Sequence, residues 1–302
     1  MVPISCDHGV HRLESLDNSS NGTTNIVAHH QRVQLLHPHD TNAMTGPTPL
    51  PPTPWHFPDP NTADPHGVVG IGADLAPATL VRAYQSGMFP MPAGEDGDGD
   101  ETIAWWSPPH RGVLNFANLR ITRSLRQSCR RYNVSVNQAF GRVIRACAEL
   151  PRDGGWISPA VIDAYEQLHE LGWAHSVETW HQGELVGGLY GVQIGGLFAG
   201  ESMFHTATDA SKVALVALVS GLEHCGAVLL DVQWATDHLA TLGVCEITRG
   251  EYLERLDTAI PCQASSLAVL SGQNLLGKTP QFLDRILSKP TGSTPLPHRS
   301  TL

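Results

Sequence analysis

Leu185-Val-Gly-Gly-Leu-Tyr-Gly-Val192, then Gly195-Gly196, then Leu197-Phe-Ala-Gly-Glu-Ser-Met-Phe204: two apolar runs are separated by a glycine pair. Runs of this length broken by a tight turn read as neighbouring antiparallel strands. Upstream, Ala174 to Trp180 alternates and Gln182-Gly183 supplies another turn, which extends the pattern to a meander. Downstream, Asp209 to Cys225 carries Val213, Leu215, Val216, Leu218, Val219 and Leu222 and predicts a long buried helix, capped by Thr208 or Asp209. Val228 to Gln233 then reads as a strand buried on both sides, His238 to Leu242 as a short helix and Cys245 to Thr248 as a last strand. Strands, crossover helix, strand: the expected class is α+β.

Two strand ends in this region carry chemistry. Glu201 closes one apolar run, and Asp231-Val-Gln233 closes the strand that follows the helix. Side by side they would set two carboxylates and an amide against an apolar wall. That arrangement suits holding an amine beside an apolar acyl group rather than building a protein nucleophile. No Gly-x-Ser-x-Gly elbow occurs, and no cysteine has a histidine partner suggested by its motif.

The rest of the chain divides by texture. Residues 1–54 are rich in His, Asn, Thr, Ser and Pro and predict a disordered extension, with Met44 a candidate translation start. His29-His30 and His37-x-His39 read as incidental to a polar tail. Residues 55–113 are Gly- and Pro-rich and form a smaller N-terminal domain, with a helix over Pro77 to Ser86 that Asp74 would cap and Gly87 stop. The acidic run from Glu95 to Glu101 lacks the turn glycine of a calcium loop, so it reads as a surface insertion and no metal is expected. Residues 114–257 form the sheet domain, opened by a helix at Thr122 to Arg131 with Thr122 as cap, a short strand at Val134 to Val136, and helices over Asn137 to Leu150 and Ser158 to Leu171. Residues 258–302 return to Ser, Pro and Thr and predict a loose tail.

Composition narrows the classes. The 302 residues are 41% hydrophobic, enough for a sizeable core, and no run reaches the ~20 apolar residues of a membrane span. No secretory signal is visible, and the six scattered cysteines make no C-x-x-C pair, so a reducing cytoplasm is the expected home. The net charge of −10 argues against wholesale nucleic-acid binding. Yet between Arg111 and Arg145 lie Arg120, Arg123, Arg126, Arg130, Arg131 and Arg142 with no acidic residue among them. Such a local basic face can grip a phosphate backbone.

Ordered motifs then add up. Gly70-Ile-Gly-Ala-Asp-Leu75, Ala83-Tyr-Gln-Ser-Gly-Met-Phe-Pro90, Trp105-Trp-Ser-Pro-Pro-His-Arg111, Trp156-Ile157, Ala164-Tyr-Glu-Gln-Leu-His169, Ala174-His-Ser-Val-Glu178, Leu185 to Gly191, Gly200 to Phe204, Ala210-Ser-Lys212 and Asp231-Val-Gln233 occur in that order. Together, from about Trp55 to Leu256, they resemble the bacterial leucyl/phenylalanyl-tRNA–protein transferases. The resemblance implies transfer of leucine or phenylalanine, and more weakly methionine, from aminoacyl-tRNA to the N-terminal Arg or Lys of acceptor proteins, marking them for the N-degron route. It implies an acetyltransferase-like (GNAT-like) sheet domain, no cofactor and a monomer. It also implies that Asp231 and Gln233 sit at the reacting amine, with Asp231 polarising Gln233, and that Glu201 reads the donor's α-ammonium. Leu189, Phe198, Met203, Leu218 and Leu230 match the apolar cup, Trp156 the platform for the terminal adenosine, and Arg123, Arg126, Arg130 and Arg131 would hold the acceptor stem. The chain departs from the family pattern at Met91, where a second tryptophan is common, and at Ala73, Val232 and His205. A CoA-dependent N-acyltransferase would instead need a glycine-rich turn before the Ala210 helix, where Phe204-His-Thr-Ala-Thr-Asp209 has none. A non-catalytic RNA-binding protein would have no use for the cup and its polar rim.

Overall fold

A computed structural model of the protein describes residues 11–13, 46–95, 101–150 and 155–272. The histidine-bearing stretch 29–39, Met44 and most of the acidic run lie outside the described residues. In chain order, β1 (His11–Arg12), β2 (Val68–Ile71), α1 (Pro77–Gln85), β3 (Phe89–Glu95) and β4 (Glu101–Trp106) form the first part. Next come β5 (His110–Leu114), α2 (Arg123–Arg131), β6 (Asn133–Val136), α3 (Phe140–Ala148) and α4 (Pro159–Glu170). The remainder is β7 (Ala174–His181), β8 (Glu184–Ile194), β9 (Leu197–His205), α5 (Ala210–Cys225), β10 (Leu229–Gln233), α6 (Asp237–Thr241), β11 (Cys245–Thr248) and α7 (Arg249–Ala259).

Two sheets result. The smaller has the order β1-β2-β4-β3, and the larger β11-β5-β10-β9-β8-β7-β6. The expected meander is there: β6, β7, β8 and β9 pair antiparallel in sequence. Its β7–β8 turn is Gln182-Gly183, both at positive φ (53° and 87°), the backbone of a tight two-residue hairpin. Helix α5 then crosses over so that β10 pairs parallel to β9. Thirteen of its residues are buried, from Ala210 to Cys225, because it lies between the sheet, α2 and the C-terminal segment. The mixed α and β class is therefore as expected.

Several expectations need correction. Strand β5 spans the proposed boundary at 113/114 and belongs wholly to the larger sheet, between β10 and β11. The smaller N-terminal domain has no core of its own. One apolar cluster runs from Val69, Leu80 and Trp105 through α3 and α4 to Tyr190 and Val192 of the larger sheet. The extension 1–54 is ordered where it is described: β1 adds to β2, Leu13 is buried, Thr48 N–H donates to Leu171 O and Trp173 Nε1–H to Thr48 O. The tail beyond 257 also packs, since Leu267 and Leu270 are buried against α5 and Gln193 donates to Ser265 O. Asp74 does not cap α1; it accepts from Ala76 N–H and Trp55 Nε1–H. Asp209 does not cap α5 either: it sits at φ 64° and bonds Ser128 and Lys212.

Candidate active site

The strand β9 pairs with β10 at Leu197, Phe198 and Ala199, opposite Leu229, Leu230 and Asp231, and no further along either strand. Where pairing stops, both strands carry a bulge. On β9 the partners jump from Gly200 to Ser202, leaving Glu201 as the extra residue; on β10 they jump from Asp231 to Gln233, leaving Val232. A bulge kinks its strand and re-aims side chains. Gln233 completes the distortion at φ 65°, in the left-handed region that a glutamine rarely adopts. Past this point the two strands no longer pair with each other, and the polar candidates lie where they separate.

Glu201, Asp231 and Gln233 come together there, as the sequence predicted. Gln233 Nε2 donates to Glu201 Oε1 at 3.0 Å. Gln233's backbone N–H donates to Asp231 Oδ1 at 2.8 Å. Asp231 therefore fixes the main chain of Gln233 and makes no bond to its amide, which corrects the expectation that it polarises that group. Its oxygens are otherwise spent on a fork from Arg111, with Nε to Oδ1 at 2.9 Å and Nη2 to Oδ2 at 2.7 Å, and on Tyr252 OH at 2.9 Å. Arg111 and Asp231 are 1% and 0% exposed. The guanidinium lies between the rings of Phe89 and Tyr252, 4.5 and 4.4 Å from their centroids. Burial, the largest influence, works against the Arg111 cation, but Asp231, Tyr252 and Glu201 together outweigh it and raise its pKa above the ordinary value.

Glu201 meets different company. Tyr84 from α1 donates to Oε1 at 2.7 Å and Tyr165 from α4 to Oε2 at 3.2 Å, and the two phenols also bond each other. All its partners are neutral. Burial pushes the carboxyl up to about 7; the bonds from Tyr84, Gln233 and Tyr165 oppose the rise, and Asp231 adds to it. Burial likewise raises both tyrosines, Glu201's charge adding to the effect, so they remain donors at neutral pH.

The apolar candidates also meet. Leu189, Phe198, Leu218 and Leu230 are 3% exposed or less and share one cluster beneath α5, with half-buried Met203 packed against it. Along β9, Phe198 faces this cluster and Ala199 the opposite one. This closed apolar cluster thus lies on one face of the sheet and the tyrosines that bind Glu201 on the other. Trp156 stands apart from the cup, half-buried in the cluster that contains α3 and α4. On α2, Arg123, Arg130 and Arg131 are exposed and Arg126 half-buried, opposite the buried Leu125 and Cys129. Thr122 caps that helix as expected.

Sequence reasoning missed Arg111, Tyr84, Tyr165 and Tyr252. The first three stood inside the quoted motifs. A signal for Arg111 existed: a cation opening Arg111-Gly-Val-Leu114 must find a counter-charge if that strand is buried. Among the described residues no cluster of metal-ligating side chains occurs.

The fold and the residues gathered where β9 and β10 separate define a mixed α and β protein with a buried polar cluster made of Glu201, Gln233 and the Asp231–Arg111 pair. Comparisons with known proteins narrow the class. The sequence model of a family described as leucyl/phenylalanyl-tRNA protein transferase matches residues 113–257, and that of the family's N-terminal domain matches 73–109. A leucyl/phenylalanyl-tRNA–protein transferase of Anaeromyxobacter sp. is 48% identical over 68% of this chain and 88% of its own length. One from Solidesulfovibrio magneticus is 46% identical over 67% and 82%, and one from Shigella dysenteriae 47% identical over 67% and 86%. The chain belongs to the leucyl/phenylalanyl-tRNA–protein transferase family.

Proposed function

We propose that this chain transfers leucine or phenylalanine from aminoacyl-tRNA to the α-amine of an N-terminal Arg or Lys on an acceptor protein. The observation that carries the reading is the Glu201–Gln233 pair, drawn from two bulged strands at the point where they separate. Glu201 has no cation of its own, so a donor α-ammonium supplies the missing counter-charge. For the donor side chain to enter the Leu189, Phe198, Leu218 and Leu230 cluster, half-buried Met203 at its margin must move aside, since the four are closed to solvent in the free chain. Burying that side chain contributes about 1.5–3 kcal/mol. A methionine donor fits less well but is not excluded, because one methylene changes discrimination by only about 1–3 kcal/mol.

The donor ester is already activated, so aminolysis needs mainly positioning, an effect that can supply roughly 7–11 kcal/mol. Gln233 spends Nε2 on Glu201, which leaves its Oε1 to accept from the incoming amine. A free α-amine with a pKa near ~8 is partly neutral at cell pH. It attacks the ester carbonyl, the new C–N bond forms as the C–O bond breaks, and the proton passes to the departing ribose oxygen. Asp231 is a positioning residue in this scheme. It holds the Gln233 backbone in its left-handed conformation and is itself held by Arg111 and Tyr252.

Trp156 is assigned to stacking on the terminal adenosine, and Arg123, Arg126, Arg130 and Arg131 to phosphates of the acceptor stem, where contacts position without reading sequence. The seven-stranded sheet, with its meander, crossover helix and divergent parallel pair, supports an acetyltransferase-like assignment. A cytoplasmic monomer acting without cofactor in N-degron marking completes the reading. The test is transfer from leucyl- or phenylalanyl-tRNA to a peptide beginning with Arg, read by mass spectrometry of the peptide. A new N-terminal leucine or phenylalanine is expected. Unmodified peptide after incubation with intact charged tRNA would sink the proposal.

A further inference from the structure

Immediately after Gln233 the chain turns, and Trp234 N–H donates to Val232 O at 2.8 Å. The turn throws the Trp234 indole outward. Among the described residues Trp234 and Val228 are the large hydrophobic side chains left exposed, Trp234 at 39%. It is not a stray. Its ring meets the buried Phe89 at a right angle, centroids 4.9 Å apart, and the half-buried Trp106 at 6.2 Å, so Trp234 is the exposed edge of an aromatic shelf built from β3, β4 and the end of β10, next to Gln233. The Trp106 indole N–H has no hydrogen-bond acceptor among the described residues. A buried donor without an acceptor is uncommon enough to ask for one.

We propose that this shelf is the acceptor subsite: Trp234 receives the stem and cationic head of the acceptor's N-terminal Arg or Lys, one residue from the amide that holds its amine. The inference rests on the Arg or Lys acceptor of the proposed function and adds the residue that selects it. Position argues for it, because the acceptor's first side chain must leave the reacting amine close to Gln233. Chemistry argues for it too. A long cationic side chain lays its methylenes on an aromatic face while its head stays in water. A guanidinium already packs on an aromatic of this group, since Arg111 lies over the Phe89 ring.

The experiment is steady-state transfer from leucyl-tRNA by the full chain, its Trp234→Ala and Trp234→Leu variants, with peptides beginning with Arg or with citrulline, the neutral isostere. Without the cation–π interaction, KM for the Arg peptide should rise by roughly 2- to 30-fold. The KM for leucyl-tRNA should stay as it was. The wild-type preference for Arg over citrulline should shrink in both variants, which a merely structural tryptophan would not cause; Trp234→Leu keeps the bulk if the alanine variant folds poorly. An unaltered Arg-to-citrulline ratio would overturn the subsite, as would a rise confined to the leucyl-tRNA KM, which would assign the shelf to the donor. Wild-type protein that transfers to no Arg or Lys peptide would bring down the proposed function itself and the subsite with it.

Discussion

Asp231 and Glu201 come from neighbouring strands and both bind Gln233, yet their surroundings are opposites. Asp231 faces a buried cation in a two-point fork and a tyrosine besides. Glu201 faces two phenols and an amide, all neutral, and burial lifts its carboxyl to about 7. In the proposed function this difference makes Asp231 the support and Glu201 the group that meets the substrate. A carboxylate whose charge is already matched has little left to offer a ligand. One that is desolvated and unmatched gains most when a cation arrives.

The sharpest way to break this comparison is to remove the cation from the matched side. Arg111→Met leaves Asp231 buried and unpaired, which should cost about 3–5 kcal/mol of stability by urea denaturation. Adding Asp231→Leu should recover much of that loss, because the unpaired charge disappears with its partner. Little change in the single variant would mean that Asp231 is not locked by charge.

Glu201 should reveal itself through pH. Its folded pKa of about 7 lies above the ordinary 4.5, so between these values the native state holds a proton that the unfolded chain has lost. Stability is therefore fully present below pH ~4.5, falls as pH rises toward ~7 and is level beyond, a drop on the order of 3 kcal/mol. Glu201→Gln should abolish that part of the slope when the two proteins are compared by denaturation across the window. Equal slopes would refute the desolvated carboxyl.

The same variant tests function at a smaller scale. Losing a charge-assisted bond to the donor ammonium is worth about 1.5–3 kcal/mol. Glu201→Gln should therefore lower kcat/KM for leucyl-tRNA by roughly 10- to 150-fold, while keeping the bonding capacity that holds Gln233. Wild-type kinetics in a well-folded variant would leave Glu201 with a structural role alone.

How much of this could be read from the chain varies with the kind of signal. The meander and α5 were legible because two apolar runs of strand length are broken by Gly195-Gly196 and a longer apolar run of helix length follows, all of them buried almost throughout. The small sheet was not, because β3 contains Pro90 and Pro92, which argue against a strand. They are tolerated because β3 lies at the sheet edge, a fact of tertiary order. Helix α7 does advertise its start through Thr248 and Glu251, which form a reciprocal capping box, but its apolar period is weak. In the site, Gln233 was legible as a strand end, whereas Glu201, expected at another, stands in the middle of β9 at its bulge. Their supports were not: Tyr84 lies 117 residues from Glu201, and Tyr252 lies 21 beyond Asp231 on an unforeseen helix. No local pattern encodes a pairing of that kind.

The comparison extends to arginines, and here the expected effects are smallest. Arg111 is buried against its counter-ion, whereas Arg123, Arg130 and Arg131 stand exposed on α2. Arg131 also bonds the Tyr132 hydroxyl and lies over its ring, whereas among the described residues Arg123 and Arg130 have no side-chain bond within the fold, so alanine at either of those two should leave stability within about 0.5 kcal/mol. Their effect should appear only when a polyanion binds. Each phosphate that is no longer neutralised flattens the dependence of log affinity on log salt by about 0.7–0.9. The triple variant should therefore bind charged tRNA more weakly at low salt, with a slope shallower by up to about 2–3, measured by filter binding across a salt series. A triple variant with the wild-type slope would remove α2 from the tRNA path. One that also unfolds would show these cations to be bound within the fold, on the side of Arg111 rather than opposite to it.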